Sequence, residues 1–180
     1  MSTRHFFWPF LAAIGLLLSA CEKQPPASTP EPVGYALLYA VSSQEQDVDY
    51  LMWIKDPGPE IKAWIDDIAA FNGTVTKQLD AWKKDGSVTN LKVTNLPPAE
   101  VKSRDRAAQR TSGKLIWGEG IDLRTELLLS QISALQYCGD LCYALTEMDY
   151  AKPHKDTIAP WIDGYDKLAV KGIEILESGE

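Results

Sequence analysis

The stretch Ile121–Met148 reads IDLRTELLLSQISALQYCGDLCYALTEM, and its spacing decides the fold. Ile121, Leu128, Ile132, Leu135, Gly139 and Cys142 recur at intervals of three, four and seven. Leu127, Ala134, Cys138, Leu141, Leu145 and Met148 form a second stripe beside the first. Two adjoining stripes make a wide apolar face, that of a helix covered on more than one side. The segment holds no proline and a single interior glycine, Gly139. At about 1.5 Å per residue it spans roughly 42 Å, so it needs other long helices beside it.

Those helices are legible on both sides. In Glu60–Lys84, Ile61, Trp64, Ile65, Ile68, Phe71, Val75, Leu79 and Trp82 keep the three-four rhythm. Pro59 suits a first turn, Glu60 complements the helix dipole, and Asp85-Gly86 ends the segment after Lys83 and Lys84. From about His154 to Glu177, Ile158, Trp161, Ile162, Tyr165, Leu168, Ala169, Gly172, Ile175 and Leu176 share a face, with Pro160 in the first turn. Val33–Lys55 is a first helical region, either one helix with a polar middle or two broken near Ser42; Ser43 and Gln46 have capping-box spacing. Asp56-Pro57-Gly58-Pro59 stops it. Gly86–Pro98 contains a direct repeat, Val88-Thr89-Asn90-Leu91 and Val93-Thr94-Asn95-Leu96, and reads as an irregular loop. Glu100–Trp117 reads as a short helix that Gly113, Gly118 and Gly120 turn into a hinge. The fold class is all-α: an antiparallel four-helix bundle over residues 33–178, with one or two short extra helices.

The first 32 residues are of another kind. Arg4 and His5 precede an apolar run, Phe6–Leu18, that is too short to remain in a bilayer as a span. Leu18-Ser19-Ala20-Cys21 follows. This resembles the lipobox of bacterial lipoprotein precursors, which implies cleavage before Cys21, a diacylglyceryl group on its thiol and an acylated new amino end. Residues 1–20 are then a signal peptide. Residues 21–32 are a tether, since Glu22–Pro32 has four prolines in EKQPPASTPEP. As extended polyproline chain at about 3.1 Å per residue it reaches roughly 34 Å. Glu22, where such precursors often carry an aspartate for inner-membrane retention, leans toward the outer membrane, with the body facing the periplasm.

The chain has 180 residues and a formal net charge of −7. Removing residues 1–20 takes away Arg4 and no acid, so the remainder is more acidic still. The densest basic run, Lys102–Arg110, is interrupted by Asp105. Nucleic acid is therefore excluded as the main partner. The expected partners are membrane lipid through acylated Cys21, and an envelope protein or an apolar ligand for the body.

From Pro59-Glu60-Ile61-Lys62-Ala63-Trp64 onward the chain also resembles an uncharacterised bacterial family of secreted or lipidated proteins with a ferritin-like four-helix fold. Leu96-Pro97, Gly120 and Ile121-Asp122 fall where that family has a leucine-proline loop, a glycine and an aromatic-aspartate start to its third helix. The family carries a histidine where this chain has Asn72, and another in the third helix near Gln131 to Gln136, where this chain has none. The resemblance implies the fold more than any metal chemistry.

Few residues point to chemistry. With Cys21 acylated, Cys138 and Cys142 remain, one helical turn apart in an oxidising compartment. Their Cα atoms fall within disulfide range, but their Cβ atoms, about 5–6 Å apart on a helix, lie beyond the relaxed spacing. Three readings stay open: small core groups, a strained local disulfide, or a redox or soft-metal site. Glu119, Asp122 and Glu126 cluster at one end of the long helix, and Glu147 and Asp149 at the other; they read as dipole partners or as an acid–base or cation site. His154 reads as a helix-start residue. Of the six tryptophans, Trp53, Trp64, Trp82, Trp117 and Trp161 remain after cleavage, to fill the core or line an apolar pocket. No nucleophile–base set is evident. The expectation is a non-enzymatic envelope lipoprotein without a cofactor, the alternative being a redox-active or metal-binding protein that uses Cys138 and Cys142.

Overall fold

A computed structural model describes residues 33–46, 57–117 and 123–178. The expectations for the signal segment, Cys21, the tether, Trp53, Glu119 and Asp122 lie outside the described residues. Among the described residues there are five α-helices and no strand: α1 Val33–Glu45, α2 Pro59–Asp85, α3 Pro98–Trp117, α4 Leu123–Thr146 and α5 Lys155–Ser178. A 3-10 turn, Asp149–His154, joins α4 to α5.

The three-four patterns lie where α2 and α5 bury their faces. Ile61, Trp64, Ile65, Ile68, Val75, Leu79 and Trp82 of α2 are buried, and Asn72 and Thr76 join them. Gly58 at φ 92° precedes Pro59, and Gly86 at φ 84° closes α2 in the left-handed region, where a side chain would be strained. On α5, Ile158, Trp161, Tyr165, Ala169, Gly172 and Ile175 are buried. Both stripes of α4 point inward through Leu127, Leu128, Ile132, Leu135, Cys138, Cys142 and Leu145. Met148 does not: α4 stops at Thr146, and Met148 is 42% exposed.

Two other expectations are corrected. Ser43 lies within α1 and its hydroxyl donates to Ala40 O at 3.4 Å, so it is no N-cap. Ser42 lies within α1, where its Oγ donates to Leu38 O at 2.6 Å one turn back; α1 ends at Glu45, and the choice between one helix and two in Val33–Lys55 falls on residues outside the described ones. Gly113 does not end α3, which continues to Trp117. The sequence from Pro98 to Arg110 is exposed throughout, in keeping with its polar composition.

The two copies of the loop repeat are not equivalent. Val88 and Leu91 are buried, whereas Val93 is exposed. Asn90 makes the difference: its Oδ1 accepts from the Lys92 and Val93 amides at 2.8 and 3.0 Å, and its Nδ2 donates to Val93 O at 2.9 Å. This closed turn diverts the second copy outward.

Residue order reverses across each of the main helix contacts. Arg124 bonds Ile175 O, Ile132 lies against Gly172, and Gly139 faces Tyr165, so α4 and α5 run in opposite directions. Trp64 lies against Gly172, Phe71 against Gly164, and Trp82 beside Trp161, so α2 also opposes α5. Gly172 and Gly164 let α2 approach closely: a Cβ on Gly172 would stand 2.3 Å from the Trp64 ring, and one on Gly164 2.3 Å from the Phe71 ring. α1 meets α2 through Tyr35 against Trp82 and Tyr39 against Asp80. It meets α4 through Gly34 against Leu145 and Glu45 against Gln131.

Candidate functional site

Two groups of buried polar residues lie within this apolar packing. The first is a seam through the helices. Asn72 of α2 is fully buried, with both ends of its amide engaged. Nδ2 donates to Ile68 O at 3.0 Å, and Oδ1 accepts from the Tyr165 hydroxyl at 2.9 Å. The Tyr165 oxygen is also in side-chain hydrogen-bond contact with Ser42 and Cys138. Burial pushes the Tyr165 hydroxyl well above its ordinary range, so it stays a neutral donor. Asn72 is the position where the family resemblance expects a histidine; here an amide is fully committed to holding the core.

Cys138 and Cys142 lie on this seam, buried and not bonded to each other. Burial pushes the Cys138 thiol up to about 12, and the nearby Glu45 charge acts in the same direction. The Cys142 thiol is raised further, by burial and by Cys138. The thiolate is the form that attacks or binds soft metals, and burial disfavours it at both positions. As protonated thiols the two behave as small apolar core groups. Among the described residues, no group of three or more His, Cys, Asp and Glu side chains is placed to hold a metal ion.

At the α1 end of the seam, Glu45 shares a side-chain hydrogen bond with Gln131, which is 6% exposed. Glu45 Oε2 and Gln131 Oε1 are both buried without a hydrogen-bond partner. Sequence reasoning missed this pair. The signal was present: Glu45 continues the inward face Leu38, Ser42, and Gln131 lies one turn from Leu127 and Leu135 on an otherwise apolar stripe.

The second group surrounds His154. The 3-10 turn carries this residue into the core instead of leaving it at an exposed helix start, and it is 8% exposed. Trp82 stacks on its ring at 3.9 Å and 14°, and Nδ1 is hydrogen-bonded to Tyr35 Oη at 2.8 Å. Tyr150 meets Tyr35 edge-on, and Trp161 lies beside Trp82. Desolvation lowers the His154 pKa, partly offset by Asp85, and burial pushes the Tyr35 hydroxyl up to about 12. Both are held neutral, as in a packed aromatic cluster. Trp64, Trp82 and Trp161 therefore serve the core.

Of the carboxylates at the two ends of α4, Glu126, Glu147 and Asp149 are among the described residues. Glu147 is exposed, and Asp149 pairs with Lys152 at 2.7 Å in the adjoining turn. Glu126 stands in the first turn of α4.

One groove opens between α1, α3 and α4, with a volume of about 570 Å³. Leu37 and Val41, Leu96 and Val101, and Ala108 and Ala134 give it a mostly apolar wall. Arg104 borders it, bonded to Glu100 Oε1 at 2.8 Å and to the Tyr137 hydroxyl at 3.1 Å. Its α3 wall comes from Pro98–Arg110, the polar stretch that is exposed throughout. Its volume falls within the roughly 300–1,000 Å³ of small-molecule sites. No protein-family model, no curated protein and no solved structure matches this chain.

Proposed function

We propose that this protein is a lipid-anchored envelope lipoprotein whose helical body serves as a non-enzymatic binding or accessory module. One observation carries the reading: Leu18-Ser19-Ala20-Cys21 follows an apolar run and precedes a proline-rich tether. Among the described residues no helix is long and apolar enough to cross a membrane. Attachment in this reading rests on the acyl chains of Cys21. Each buried CH₂ contributes about 0.8 kcal/mol, so several chains hold firmly where one holds only marginally. In the body, α1, α2, α4 and α5 form an antiparallel four-helix bundle. The opposed registers of α1 with α2 and of α4 with α5 support this arrangement, with the α3 segment as the long second connection.

Mass analysis of the native amino-terminal peptide tests the anchor. The expected result is a Cys21 that carries a diacylglyceryl group and an amide-linked acyl chain. The same body secreted through a plain cleavable signal, starting at Glu22, moves almost entirely to the aqueous fraction. An unmodified Cys21 thiol at the processed start overturns the reading.

The groove under α3 favours a narrower form, in which the body holds an apolar molecule. Native mass spectrometry of protein purified from membranes is expected to find such a molecule bound. Ala108→Trp, which fills the groove from exposed α3, reduces the bound fraction severalfold. Bare protein in both samples removes this narrower form and leaves the anchor standing.

A further inference from the structure

Glu45 Oε2 on α1 and Gln131 Oε1 on α4 are buried acceptors without a donor, on two side chains that already share one hydrogen bond. If Glu45 is ionised, the pair owns a single kind of donor, the Gln131 amide N–H. Both remaining oxygens then face a low-dielectric interior as acceptors, and neither can serve the other. A protonated carboxyl removes the conflict. Its O–H becomes the donor for Gln131 Oε1 while the amide N–H donates to the other carboxyl oxygen. One proton thus satisfies two orphaned atoms, which no other rearrangement of these two side chains achieves.

We infer that Glu45 and Gln131 form a proton-binding site, a reciprocal acid–amide pair that fastens α1 to α4 while Glu45 holds its proton and loosens when it is lost. The electrostatics agree. Burial pushes the Glu45 carboxyl up to about 7 from an ordinary 4.5, against the lowering effect of the Gln131 bond. On α4 the Cys138 thiol is raised to about 12, partly by Glu45, and Cys142 lies a turn beyond. On α5 the Tyr165 hydroxyl is raised and bonded to Ser42 and Cys138. On α2, Asn72 and Thr76 are neutral, while Lys77 and Asp80 line a surface groove with Tyr39 and Gln46. On α3, Arg104 and Asp105 line the other groove with Gln44.

The direction follows from linkage. A carboxyl whose folded pKa is raised stabilises the fold fully below its unfolded value and loses that contribution as pH rises through the folded one. For Glu45 the window runs from 4.5 to about 7. Across it the folding equilibrium constant falls by as much as about tenfold per pH unit. His154 acts in the opposite sense, because its lowered pKa removes stability as pH falls below 6.5. The informative comparison is therefore between variants at each pH.

Urea denaturation of the mature full chain between pH 4.5 and 8 tests the pair, with Glu45→Gln as comparator. The amide of Glu45→Gln keeps a reciprocal partnership with Gln131 that does not titrate. The expected result is that wild type loses stability relative to Glu45→Gln as pH rises, by a ratio approaching a hundredfold over the window. Parallel curves overturn the inference. If Glu45→Gln does not fold, the carbon-13 titration of the Glu45 carboxyl in the wild type decides. A midpoint near 7 supports the pair. A midpoint near 4.5, or one that falls when calcium is added, overturns it in favour of an ordinary carboxylate or a cation site.

Discussion

Trp64→Ala is expected to lower the unfolding free energy by about 3–5 kcal/mol, the range for removing a fully buried aromatic side chain. Trp64 is 0% exposed, and its ring occupies the space left by the missing side chain of Gly172. Ile132 of α4 closes the same spot from the other side. The indole Nε1–H donates to Leu168 O at 2.9 Å, so one residue of α2 contacts both a glycine and a carbonyl of α5. Truncation leaves a cavity between two helices whose spacing is fixed by other contacts, Phe71 against Gly164 and Trp82 against Trp161. The site cannot collapse to close it, which places the loss toward the upper end of the range. Trp64→Phe separates the contributions. It keeps much of the ring volume and gives up the indole N–H, a bond with a net worth of about 0.5–1.5 kcal/mol. Urea denaturation followed by far-ultraviolet circular dichroism measures both variants. A loss below about 1 kcal/mol for Trp64→Ala would mean that α2 and α5 do not share this interface.

The contrast between helices explains what could be read from the sequence. In α2 and α5 one side meets water and the other meets neighbours, so apolar residues repeat every three to four positions and the repeat names the buried face. Trp64, Ile68, Tyr165 and Gly172 were all legible in this way. α4 is covered on two sides, so its stripes gave the helix and its contacts, but not its end. Whether Met148 is inside depends on where the chain turns, and the 3-10 turn that carries His154 into the core is set by tertiary packing. The reach of α3 through Gly113 was also hidden, because one glycine in an exposed helix costs only about 1 kcal/mol and need not end it. The polar seam was the least legible part. Glu45, Asn72 and Gln131 are residues that usually face water, and pattern reading assigns them there. The register of Glu45 and Gln131 on apolar faces hinted at the opposite, but their partners, on helices distant in sequence, are what establish it.

That seam also makes the smallest covalent change the most damaging. Asn72→Asp replaces one amide nitrogen by oxygen and is expected to cost about 3–5 kcal/mol near pH 7, as an uncompensated buried charge does. Tyr165 can still donate to one carboxylate oxygen. The other oxygen then faces Ile68 O, which Asn72 Nδ2 now bonds at 3.0 Å, so a donor–acceptor contact becomes acceptor against acceptor. Among the described residues, no cation is bonded to the side chain of Asn72 or Tyr165: their partners are Ile68 O, Ser42, Cys138 and each other. The damage must depend on pH. A carboxyl at this buried place has its pKa raised above the unfolded value of about 3.9, so the protonated form fits the fold and the penalty grows as pH rises. Near pH 4 the carboxyl O–H can take over the donor role, and most of the loss is recovered. Asn72→Leu provides the control. It removes donor and acceptor together, leaves the Tyr165 hydroxyl short of one partner, and is expected to cost about 1–3 kcal/mol at either pH. Denaturation of both variants at pH 4 and pH 7 separates charge from hydrogen bonding. If Asn72→Asp loses the same amount at both, the carboxyl is reached by water, and the seam is a solvated channel through the helices instead of a dry core.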